Sequence, residues 1–198
     1  MRLRSSFIIA LLVFAAGACA AAPDSGGQAA TMAPATTTPA RASTAMNRPT
    51  RYAPPGLLPV ARRKPAPVLR VTAFDGRMVS LDGLRGRPVV VSFFESWCGI
   101  CQAEQPDLTK VAGDFGGRVG FVGVSYRDTV AAGRTYQRRF KVPYPLANDA
   151  SGRTWARWGV PYQPVVVLVD KYGRIAQRFD GGTTGGTLAA ALAYLLGE

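Results

Sequence analysis

The chain has 198 residues, with 24 Lys and Arg against 12 Asp and Glu, no His, and a formal net charge of +12. Three cysteines and no imidazole leave a four-ligand zinc site without its usual donors. The positive charge is spread rather than clustered with aromatics, and the N-terminus reads as an export signal, so nucleic acid is excluded as a partner.

Met1-Arg2-Leu3-Arg4 precedes an apolar run from Phe7 to Ala18. A charged start and a short apolar stretch make a secretory signal over residues 1–18. The run falls short of the roughly 18–20 residues that span a bilayer. Ala16-Gly17-Ala18-Cys19 is similar to a lipobox, which makes Cys19 the candidate lipid anchor. Ordinary cleavage around Ala18-Cys19-Ala20 is the alternative and gives a soluble secreted protein. Residues 19–65 are rich in Ala, Thr and Pro without apolar periodicity, so a flexible, disordered linker is expected. Arg41, Arg48, Arg51, Arg62, Arg63 and Lys64 against Asp24 suit a solvated tether or a second attraction to anionic lipid.

Residues 66–198 are one domain's worth of chain. Val68–Phe74 and Met78–Leu81 read as a hairpin about Asp75-Gly76. Val89–Phe94 is continuous in β-branched and aromatic residues, the pattern of a central strand buried on both faces. A helix from Cys98 to Phe115 follows, kinked at Pro106 and closed by Gly116-Gly117. Val119–Val124 is a further buried strand. Asp128 is placed to cap a helix to Phe140, whose Arg134, Arg138 and Arg139 form a solvated face. A helical turn at Trp155–Trp158, a strand at Val165–Val169, its partner Arg174–Asp180 and a helix Thr187–Leu196 complete an α/β domain with a mixed sheet.

Ser96-Trp97-Cys98-Gly99-Ile100-Cys101 sits where the central strand gives way to the helix. Unpaired N–H groups and the positive end of the helix dipole favour a thiolate there. Cys98 is expected at an exposed tip, where it attacks, with Cys101 one turn along, shielded, to resolve. The alternatives for two cysteines at this spacing are a zinc half-site, a structural disulfide or a pair of core residues. A thiol peroxidase signature would need Pro at Val91 and Thr or Ser at Glu95.

These segments together resemble the thioredoxin superfamily, and within it the exported TlpA/ResA-like (DsbE-like) thiol–disulfide oxidoreductases. The similarity runs from about Pro67 to Leu196. It rests on Leu84-Arg85-Gly86-Arg87-Pro88 before the central strand, on Trp97-Cys98-x-x-Cys101 followed by Glu104 and Pro106, and on Gln163-Pro164 six residues before Asp170. The resemblance implies a thioredoxin fold, a central mixed β-sheet flanked by helices, as a single domain after the signal and linker. It implies a redox-active Cys98–Cys101 disulfide and no other cofactor or metal. It makes Pro164 a cis-proline beside the disulfide, Pro161 being the competing candidate. Gln163 and Pro164 then present backbone to an extended substrate, Trp97 shapes the rim, and Glu104 shuttles a proton.

The implied partners are exported proteins carrying thiols or disulfides, a membrane redox partner, and the membrane itself through Cys19. Many relatives have Pro before the second cysteine; Ile100 keeps an N–H that stabilises the Cys98 thiolate and tips the direction towards an oxidant. A reductant of apocytochrome thiols, and a non-catalytic binding lipoprotein with a static disulfide, are the alternatives.

Overall fold

The structure, a computed structural model, describes residues 52–198. The signal segment, Cys19 and most of the expected linker lie outside the described residues.

Seven strands form one sheet: β1 Arg70–Ala73, β2 Met78–Ser80, β3 Val89–Phe93, β4 Gly120–Ser125, β5 Leu146–Asn148, β6 Val165–Val169 and β7 Ile175–Asp180, in the order β2-β1-β5-β4-β3-β6-β7. β3 runs parallel to β4 and antiparallel to β6, and β5 is parallel to β4 but antiparallel to β1, so the sheet is mixed as expected. Among the described residues four α-helices flank it: α1 Gly99–Phe115, α2 Val130–Arg139, α3 Arg153–Arg157 and α4 Gly185–Leu196.

β3 and β6 are buried along their whole length. Alternate side chains of a strand point to opposite faces, so each of these strands feeds two cores. Val90, Phe94, Val166 and Leu168 pack with Leu108 and Val111 of α1, Tyr136 of α2 and Leu188 and Leu192 of α4. Val89, Val91, Phe93, Val165 and Val167 pack on the other face with Trp155 and Trp158. Two-sided burial accounts for the unbroken apolar runs, which carry no amphipathic alternation.

Two expectations are corrected, and one strand was missed. Asp128 does not cap α2; Thr129 does, its Oγ1 accepting from Ala132 N at 3.1 Å. Strand β5 has no counterpart in the sequence reading, because three residues just after Pro143 and Pro145 show no strand period. It nevertheless joins the β1–β2 hairpin to the sheet. The boundary expected at residue 65 also falls inside the folded unit. Leu57 and Arg63 are buried, Leu58 N donates to Ala176 O and Ile175 N to Lys64 O, both at 2.8 Å. This strap lies along β7, whose outer edge would otherwise be unpaired. Arg63 fastens it through Asp170 at 3.3 Å and Glu198 at 2.5 Å.

Pro106 lies within α1, which runs through it from Gly99 to Phe115. Among the described residues no helix is long and apolar enough to cross a membrane.

Candidate active site

The site begins where β3 ends. After Phe94 the chain turns through Glu95, Ser96 and Trp97 and enters α1, with Cys98 as its N-cap in an extended conformation, φ −75° and ψ 115°. An N-cap side chain satisfies one of the helix's free N–H groups. Here sulfur takes the part that Ser or Asp usually plays: Cys101 N lies 3.2 Å from Cys98 Sγ and donates to it. The donor onto the sulfur is therefore Cys101 N; Ile100 N, singled out from the sequence, makes no such contact. Cys98 and Cys101 are joined as a disulfide with Cα atoms 5.3 Å apart.

Cys98 is only 8% exposed and Cys101 2%, so the expected exposed tip is corrected. The exposure belongs to the flanking side chains, Trp97 at 58% and Ile100 at 62%. These large apolar groups next to the cysteines in the chain stand in water, where burial against a partner would be favourable.

The antiparallel register Phe93↔Val165 brings the start of β6 beside the end of β3. Gln163-Pro164 precedes it, and its peptide bond is cis, as the sequence reading expects of Pro164 rather than Pro161. Gln163 and Glu95 border one cavity of about 560 Å³, walled by Tyr126, Trp155 and Tyr162. The β6 approach and the β3 turn are therefore two sides of a single depression.

Glu104, on α1, approaches the loop after β7. It is buried, and Oε1 accepts from Thr183 N at 2.6 Å. A Cβ placed on Gly182 would stand 3.0 Å from Glu104 Oε1 and 3.2 Å from Pro164 Cγ, so carboxylate and proline flank one glycine. Burial pushes the Glu104 carboxyl above its ordinary value, with the Asp107 charge adding to the rise and the Thr183 N–H opposing it.

A second buried carboxylate was not singled out from the sequence. Glu95 is 1% exposed and accepts from Tyr126 N at 3.2 Å and from Arg127 N at 2.9 Å. Burial raises its pKa as well, with the Arg127 and Tyr126 N–H groups pulling the other way. The available signal was one acidic residue closing an otherwise apolar strand. Behind Cys101, Tyr136 Oη lies 3.0 Å from Cys101 O and is part of a buried set with Gln105 and Tyr144. Among the described residues no group of three His, Cys, Asp or Glu is placed to hold a metal.

A mixed sheet with a Cys-x-x-Cys disulfide at the first turn of α1 and a cis-proline before an antiparallel strand defines a thioredoxin-like protein. The chain belongs to the AhpC/TSA family, whose model matches residues 63–178, and within it is TlpA/ResA/DsbE-like. It is similar to the soluble secreted antigen MPT53 of Mycobacterium tuberculosis, 37% identical over 103 residues, 52% of this chain and 56% of that one. The chain thus spans little more than half the length of that relative.

It is also similar to the thiol–disulfide oxidoreductase ResA of Bacillus thuringiensis, 26% identical over 61% of this chain and 70% of that one. Among solved structures, a secreted M. tuberculosis disulfide oxidoreductase homologous to E. coli DsbE is 30% identical, with a TM-score of 0.58, over 64% of this chain and 95% of that one. A DsbF homologue from Corynebacterium diphtheriae shares the fold, with a TM-score of 0.65 at 24% identity over 73% of this chain and 98% of that one.

Proposed function

We propose that this protein is an extracytoplasmic thiol–disulfide oxidoreductase that exchanges its Cys98–Cys101 disulfide with cysteines of exported proteins, working as an oxidant. The observation that carries the reading is the position of Cys98 at the N-cap of α1, its sulfur already accepting the Cys101 N–H. A thiolate there is stabilised by that donor and by the helix dipole.

In the oxidising direction a substrate thiolate attacks Cys98 Sγ, the Cys98–Cys101 bond breaks, and Cys101 leaves as a thiolate. A second substrate thiolate then attacks the substrate sulfur of the mixed disulfide and releases Cys98. The substrate loses two electrons and two protons, and the protein gains a dithiol. Glu104, with its raised pKa, delivers the proton to Cys101 and removes it in the reverse direction. Gln163 and Pro164 line the substrate against β6, while Trp97 and Ile100 offer apolar contact.

Export is supported by the N-terminal signal pattern and by the secreted relative. In this reading Cys19 is acylated and anchors the domain on the outer face of the cytoplasmic membrane, and a membrane partner re-oxidises the pair.

The test is equilibration of the pair against glutathione. A potential of about −120 to −180 mV supports the oxidant. One near −270 mV or below reassigns the protein as a reductant, apocytochrome thiols being the first substrates to try. Failure to exchange under native conditions leaves a binding module with a static disulfide.

A further inference from the structure

The turn that carries Cys98 is tied at several of its polar groups, on both backbone and side chain. Ser96 N donates to Asp128 Oδ2 at 2.8 Å and Ser96 Oγ to Asp128 Oδ1 at 2.5 Å. Gln102 Nε2 donates to Ser96 O at 2.7 Å, and Cys98 N to Glu95 O at 3.1 Å. In the opposite direction Tyr126 N and Arg127 N donate to the Glu95 carboxylate, the latter reaching both oxygens, at 2.9 and 3.2 Å. Each of the two segments thus lends a carboxylate to the other: the end of β3 caps N–H groups after β4, and the segment after β4 caps Ser96. Asp128 is held in turn, its carbonyl accepting from Asn148 Nδ2 at 3.2 Å.

A buried carboxylate is a costly way to fill space, since an apolar side chain would need no hydrogen bonds there. The N–H groups of Tyr126 and Arg127 hold the Glu95 carboxylate in its place. The benefit of a helix N-terminus to a thiolate falls off within one turn, so it depends on where this turn holds the sulfur. We propose that Glu95 and Asp128 are a reciprocal pair of positioning residues that hold Cys98 Sγ at the N-cap of α1 and thereby set its thiolate population. The proposal rests on Cys98 being the attacking sulfur.

The experiment uses the full chain and four variants: Glu95→Ala, Glu95→Gln, Asp128→Ala and Asp128→Asn. The readouts are ultraviolet titration of the reduced Cys98 thiolate, equilibrium against glutathione, and unfolding of both redox forms. The alanine variants should lower the thiolate population about tenfold at a fixed pH below the Cys98 pKa. At a pH above the Cys98 pKa of both proteins they should also move the glutathione equilibrium about tenfold towards the disulfide, or about 30 mV. The amides keep an acceptor oxygen and should recover most of the shift. Loss of charge alone acts the other way, because a nearby anion disfavours a thiolate.

Equal destabilisation of both redox forms with an unmoved titration overturns the proposal. So does an amide variant that shifts as far as its alanine counterpart. If Glu95→Ala does not fold, the Asp128 pair decides between the same two outcomes. A wild-type protein inert towards glutathione defeats the reading of Cys98 itself, a result separate from any failure confined to the variants.

Discussion

Glu95 and Glu104 flank the same disulfide, both buried and both with raised pKa values, yet their surroundings differ. Glu95 sits before the cysteines in a turn and is met by the N–H groups of two consecutive residues, Tyr126 and Arg127. Glu104 sits after them on α1 and meets one N–H, that of Thr183, with the like charge of Asp107 nearby. The first arrangement resists change at either oxygen. The second leaves one Glu104 oxygen without a hydrogen-bond donor among the described residues. Burial alone therefore does not tell the two apart; the number of fixed donors does.

The contrast has meaning only if exchange runs through the pair between the two carboxylates. Cys98→Ser should abolish turnover, and Cys101→Ser should accumulate a mixed disulfide visible on non-reducing gels; equal residual activity in both removes the basis of the contrast. Next in size, Glu104→Gln should slow attack of Cys101 on a mixed disulfide in the reducing direction, where the carboxylate removes the Cys101 proton, about 10²-fold in single-turnover measurements. A rate within about twofold of wild type would place Glu104 with Glu95 as a structural group.

The third expectation concerns stability. Because the folded-state pKa of Glu104 lies above its ordinary value, the folded protein holds that proton more tightly than the unfolded chain. The resulting stabilisation is complete below about pH 4.5 and is lost as pH rises through the raised value. Denaturant unfolding should therefore show Glu104→Gln gaining on wild type as pH rises above about 4.5. A difference that stays flat with pH contradicts the raised pKa.

Asp107→Asn gives the smallest effect. Asp107 Oδ2 accepts from Gly185 N at 2.7 Å, at the start of α4. Losing that charge should cost about 0.5 kcal/mol of stability and move the Glu104 inflection in the rate profile to lower pH. An unmoved inflection would mean that Asp107 does not contribute to the Glu104 environment.

Much of this was legible in residue order. The runs Val89–Phe94 and Val165–Val169 announced strands buried on both faces, since only such strands need no polar alternation. The cysteine spacing was legible locally as well, whereas Glu104 and the proline before Val165 were reached only through the family resemblance. Glu95 was not legible: its partners lie more than thirty positions away, and an isolated Glu carries no sign of them. Asp128 misled for a related reason. Asp is a good N-cap by local rules, but Ser96 competes for its oxygens and leaves the cap to Thr129. The strap was equally hidden. Its Pro, Ala and Arg composition describes a solvated segment until Asp170 and Glu198 converge on Arg63.

By itself, then, the sequence determined the strands that fill the centre of the sheet, the helix that begins at the cysteines, and the chemistry those cysteines offer. Periodicity and capping act over a few neighbouring residues, and such short-range terms are written in residue order. Only the tertiary structure decided that β5 links the hairpin to the sheet, that Cys98 is nearly covered, and that Glu95 and Asp128 clasp the reactive turn. Those outcomes depend on which distant N–H groups meet which acceptors, and that is settled only when the chain closes on itself.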